Sequence, residues 1–124
     1  MFFAGTRLRG NIHEEPHLAV LQQAKNDFAA AERDYQEALQ IRRELARSNP
    51  QTYLPDVAMT LINLGLFYQR SVPDKEKSLN CLAEALRTLK HLIAKLPYTQ
   101  KYQATALSCI QAWGVDPEKF LKTL

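Results

Sequence analysis

The chain has 124 residues, 46% of them apolar and 23% charged, with a formal charge of +3; that is room for one continuous core and too little for two independent ones. The mild positive charge is interleaved with acidic residues rather than gathered into a patch, which argues against a nucleic-acid surface, and no apolar run approaches a membrane span. Only four glycines occur in the whole chain, so hairpin turns are disfavoured and helix is expected.

Residues 1–12 read as an N-terminal arm. The opening "MFFAGTRLRG" carries a run of four apolar residues before charge intervenes, far short of a secretory h-region. Cys81 and Cys109 lie in apolar helical patterns where a free thiol behaves as a small hydrophobe, and no further thiolates complete a metal site. Reduced cysteines and a cytoplasmic location are the expectation.

Residues 13–17, "HEEPH", spell the H-E-x-x-H pattern of zinc proteases. That chemistry needs His13 and His17 one turn apart on a continuous helix, with Glu14 as general base and a third ligand from elsewhere. Pro16 falls inside the turn, and a proline is tolerated only in a first helical turn, so a helix starting near Glu15 leaves His13 outside it. A metal-dependent hydrolase through His13, Glu14 and His17 is the remote alternative; no metal, cofactor or catalytic residue is expected. Ser48, Ser71, Ser78 and Ser108 lack a strand-turn-helix elbow, and the glycines are too scattered for a phosphate loop.

From there the pattern is helical almost throughout. "DFAAAERDYQEALQIRRELARSNP" places Ala31, Tyr35, Ala38, Leu39, Arg42 and Leu45 on one face, with Asn49-Pro50 as its stop. Glu37 and Glu44 stand near Arg42, Arg43 and Arg47 on this helix, so surface pairing is expected of these arginines. "PDVAMTLINLGLFYQR" is a second helix, with Pro55 in its first turn and Val57, Leu61, Leu64 and Tyr68 as its stripe. In "EKSLNCLAEALRTLKHLIAKLP", Leu79, Leu82, Leu86, Leu89, Ile93 and Leu96 line a third, capped by Asp74 and ended by Pro97. "YTQKYQATALSCIQAW" aligns Tyr102, Ala106, Ile110 and Trp113 before Gly114 closes it. The tail "VDPEKFLKTL" is a short last helix, with Asp116 as cap, Pro117 first inside and Val115 stapled to Phe120.

An internal period ties these segments together. Ala38-Leu39 and Ala85-Leu86 differ by 47 positions, as do Pro50 and Pro97, while Ala58, Leu61 and Leu64 match Ala104, Leu107 and Ile110 at 46. Such self-similarity implies stacked helix pairs. The stretch "LAVLQQAKNDFAAAERDYQEAL" resembles a tetratricopeptide repeat, with Leu18-Ala19 on the Leu-Gly pair, Asn26-Asp27-Phe28 on the Gly-Asp-Tyr turn, and Ala31, Tyr35 and Ala38 on the second helix. "LINLGLFYQRSVPDKEKSLNCLAEAL" supplies the second copy through Asn63-Leu64-Gly65, Tyr68, Ser78, Leu82, Ala85 and Leu86. The long period makes it similar to the long-repeat tetratricopeptide arrays of bacterial scaffold and signalling proteins.

The resemblance implies an all-α, right-handed stack of antiparallel helix pairs, with repeats at about 13–50 and 53–97 and capping helices over 98–124. It also implies a protein-protein interaction module without catalytic chemistry, in which the first helix of each pair lines a concave groove. By register that groove takes Val20 and Gln23 from the first repeat, Met59, Ile62, Asn63, Leu66, Gln69 and Arg70 from the second, and Thr105 and Ser108 from the cap. A peptide or helix would lie there, oriented by Asn63, Gln69 and Arg70. Chaperone-binding members grip a terminal carboxylate with a lysine-asparagine clamp; Asn63 fits one clamp position, but Pro16 and Val20 stand where the first repeat needs the others. The alternative is a self-associating scaffold, a homodimer whose groove or edge is filled by another copy.

Overall fold

A computed structural model describes the backbone of residues 16–124 and side chains from residue 24 onward. The expected arm, His13, Glu14, and the side chains of His17, Val20 and Gln23 lie outside the described residues. Those described are helical with no strand: α1 (Pro16–Ser48), α2 (Pro50–Arg70), α3 (Lys75–Lys90), a 3-10 turn (Pro97–Thr99), α4 (Gln100–Ala112) and α5 (Pro117–Lys122). None of these helices is long and apolar enough to cross a membrane. Contacts divide the chain into two units, Met1–Arg33 and Asp34–Leu124.

In the first unit the helix of α1 runs through Asn26, Asp27 and Phe28, so the turn expected there does not form. The reason is compositional. The resembled turn relies on glycine, whereas here Asn26 and Asp27, which tolerate a left-handed conformation less readily than glycine, are flanked by Ala24, Lys25 and the Ala29–Ala31 run, all strong helix formers that carry the helix through.

The second unit is built around α2. Asn49 alone separates α1 from α2: with Pro50 following, Asn49 leaves the helical region (φ −141°, ψ 75°), because the proline ring disfavours helix in its predecessor. The same proline then sits at the first position of α2, where its missing N–H costs nothing, and the Asn49 Oδ1 accepts from the Thr52 N–H at 3.3 Å. The helix thus begins five residues before Pro55, which lies inside it and withholds one donor from the Gln51 carbonyl. The expected stripe Val57, Leu61, Leu64 and Tyr68 is buried, but so are Thr60, Ile62, Gly65 and Phe67. A helix covered on so much of its circumference has neighbours on several sides.

Those neighbours run in alternating directions. Against α1, the Tyr35 and Phe67 rings lie 5.7 Å apart, Gln36 donates to the Tyr68 hydroxyl at 3.4 Å, and Arg42 donates to Thr60, so the two helices are antiparallel. Leu39 and Ala46 face this seam, whereas Leu45, expected on the inner face, is exposed. Arg43 reaches Glu84 on α3 instead of an acidic residue on its own helix; both side chains are solvated, so this pair contributes little, up to about 1 kcal/mol.

Between α2 and α3 the turn at 71–74 ends at Asp74, whose carboxylate accepts from the Lys77 N–H at 3.0 Å, as expected of a cap. Leu82, Leu86 and Leu89 are buried. The helix stops at Lys90, however, not at Pro97. Leu89 O accepts from Leu92 N at 2.9 Å and from Ile93 N at 3.1 Å; this tightening to i→i+3 bonding carries Leu92 into the core and leaves Ile93 half-buried. Pro97 instead opens the 3-10 turn.

Helix α4 packs on both α2 and α3 and ends at Gly114, whose φ of +82° is left-handed and suits glycine. Asp116 caps α5 through the Glu118 N–H at 3.0 Å, with Pro117 first inside, as expected. Ala58 and Leu61 are fully buried, but at the positions 46 residues on, Ala104 is exposed and Leu107 only half-buried.

One contact sets the closest approach. A Cβ added at Gly65 would stand 2.8 Å from Leu82 Cδ2 and 2.9 Å from its Cγ. Gly65→Val should therefore lower the unfolding free energy by about 1–3 kcal/mol through overpacking, read as a shifted urea midpoint with an unchanged slope.

Candidate functional site

Helices α2 and α4 face each other across a groove of about 460 Å³. Its α2 wall is Leu66, Gln69 and Arg70; its α4 wall includes Thr105, Ser108 and Ala112. Five of the residues selected by register thus share one cavity: Leu66, Gln69, Arg70, Thr105 and Ser108. Met59 and Asn63 are exposed on α2 but outside it, and Ile62 is a correction. At 4% exposure it belongs to the core, because it projects from the same face of α2 as Gln69, and that face is covered by α4.

The floor of the groove is braced by a reciprocal pair of bonds. The Gln69 amide donates from Nε2 to the Cys109 carbonyl at 2.9 Å and accepts from the Cys109 thiol at Oε1, at 3.1 Å. Gln69 therefore holds the two walls together, and its part in orienting a bound partner is limited to the remaining N–H and lone pairs. Arg70 differs: it is exposed and makes no ion pair among the described residues. The Thr105 hydroxyl donates to Lys101 O at 3.1 Å, which leaves its lone pairs available. The outcome is one free guanidinium, two hydroxyls able to accept, and an apolar strip of Leu66, Ala104 and Ala112.

The thiols are poorly placed for nucleophilic work. Burial pushes the Cys109 thiol upward, outweighing the Ser78 hydrogen bond and the Arg70 charge. Cys81 is pushed up to about 11 by burial first and by Glu84 second, against the opposing charge of Arg43. Both remain thiols near neutrality, and nucleophilic attack requires the thiolate. Among the described residues no carboxylate or imidazole lines this groove, and no cluster of three or more His, Cys, Asp or Glu could hold a metal.

Sequence reasoning missed two features. One is the polar relay beside the groove, in which the Trp113 indole donates to Ser78 Oγ at 2.8 Å and the Ser78 hydroxyl donates to Gly65 O at 2.8 Å. The other is a second cavity of about 640 Å³ between the end of α3, the turn after it, α4 and α5. Reading α3 as helix through Leu96 hid it; the apolar tail positions Leu121 and Leu124 were its only signal. Comparison with known proteins returns no match: no family model, curated protein or solved structure shows significant similarity to the chain.

The Cys81 shift has a consequence in alkaline solution. An unfolded thiol ionises near 9.0 and the folded one near 11, so the folded form holds the extra proton and loses stability as pH rises across that interval. The unfolding free energy of the native sequence should fall more steeply between pH 9 and 11 than that of Cys81→Ala, with parallel profiles at lower pH.

Proposed function

We propose that the chain is a non-catalytic protein-protein interaction module that receives a peptide or helix from a partner in the α2–α4 groove. The observation that carries this reading is the convergence of Leu66, Arg70, Thr105 and Ser108 on one groove whose floor is already braced. Such a surface is preformed, so a partner meets little ordering cost. The partner that fits presents an apolar side chain to Leu66, Ala104 and Ala112, and a carboxylate to Arg70. Among the described residues Arg70 has no competing acid to displace, and a guanidinium binds a carboxylate with two parallel bonds. The alternation of helix directions and the close approach at Gly65 support the resemblance to tetratricopeptide arrays from α2 onward, and we retain that architecture for α2 to α4 alone, since α1 runs without the turn of a first repeat.

A second reading is self-association. Ala104 and Leu107 are left partly uncovered where the matching residues of α2 are buried, and a second copy could cover them. Light scattering across a concentration series separates the two: the first reading expects a monomer, the second a dimer near twice 14.2 kDa.

Peptides selected from a random display library should carry an acidic residue beside an apolar one. Arg70→Glu and Leu66→Asp should each weaken them at least tenfold, with Arg70→Glu leaving the circular dichroism spectrum at the binding temperature unchanged. Selected peptides that bind both variants as well as the native protein would rule out the groove.

A further inference from the structure

The second cavity faces away from the groove: Gln103 meets it from one side of α4, while Thr105, Ser108 and Ala112 line the groove from the other. We propose that this cavity binds a small amphipathic anion, an apolar body carrying a single carboxylate or phosphate head. The site goes beyond the interaction groove and does not depend on it.

Two observations combine. The walls are apolar, supplied by Leu86 of α3, Ile93 of the following turn, Leu121 of α5, and Leu124 just after it. At about 640 Å³ the space lies within the range of roughly 300–1,000 Å³ that accommodates small organic ligands. It is a bowl closed on one side by α5, which suits a compact ligand better than a length of helix. One rim is cationic: Arg87 and Lys90, three residues apart in the last turn of α3, both line it, and the imidazole of His91, the residue that caps the helix, lies beside them.

Basic residues at a helix C-terminus also complement the negative end of the macrodipole. That end is equivalent to only about half an elementary charge, and Arg87 and Lys90 together carry two. Among the described residues no Asp or Glu lines the cavity, and Glu84, one turn back on α3, is engaged by Arg43. From Leu86 to Leu124 the sequence holds six Lys and Arg against two Asp and Glu, so the surplus is not cancelled by the neighbouring segments. An apolar bowl with an uncompensated cationic rim complements a ligand of opposite charge at one end and hydrocarbon at the other.

The test is calorimetric titration of the folded chain with decanoate below its micellar concentration, beside decyltrimethylammonium, which has the same tail and the opposite head charge. Decanoate should bind, and decyltrimethylammonium at least tenfold more weakly. The double substitution Arg87→Glu/Lys90→Glu, at exposed positions, should reduce decanoate affinity at least tenfold; reversing charge at the helix end lowers the melting temperature by a few degrees, while the circular dichroism spectrum at the titration temperature stays that of the native fold. Equal affinity for the two heads, no binding of decanoate, or insensitivity to the double substitution overturns the proposal. So does loss of decanoate binding in Arg70→Glu alone, which would place the anion in the α2–α4 groove instead.

Discussion

The approach of α2 to α3 at Gly65 is the constraint on which the second unit depends. With no side chain at that position, the Leu82 side chain lies where a Cβ would be, and Ser78 is near enough to donate to the Gly65 carbonyl. Ser78 is fully buried, so its hydroxyl has to be satisfied within the protein. It gains its second bond from Trp113, and so α4 is drawn into the same seam. Three helices meet through one glycine, one hydroxyl and one indole, and the groove wall on α4 owes its position to that meeting.

Helix content was legible from residue spacing because burial in this protein follows the helical period closely. Val57, Leu61, Leu64 and Tyr68 are inside, and Asp74 and Asp116 cap where short polar residues precede apolar runs. Boundaries were less legible where two signals compete at one place. Asn49-Pro50 stops α1, as its sequence indicates, but the same proline starts α2 at once. At the end of α3 the periodic leucines continue past the helix, since the burial of Leu92 outweighs the regular spacing that Ile93 and Leu96 would extend. At Asn26-Asp27-Phe28 a family pattern implied a turn that the local composition does not support.

For the groove, register along α2 and α4 was enough to bring five side chains to one cavity, because two helices of similar direction offset by a near-constant number of positions present matching faces. It could not foresee that Ile62 lies beneath α4, nor that Gln69 is occupied by Cys109. Both depend on how closely α4 approaches, which is set by residues elsewhere in the chain. Val20 and Gln23 belong to a part of α1 whose side chains are not described. The 640 Å³ cavity needs three separate segments to converge, and no single stretch of sequence records that.

Trp113 is the sole tryptophan of the chain, and its indole N–H bonds to the seam between α2 and α3. Excited beyond the absorption of the tyrosines, the protein therefore emits from one fluorophore, half-buried against the helix junction. Any loosening of α4 hydrates the ring and moves its emission to the red, so the molecule carries an optical gauge of its own groove without an added label.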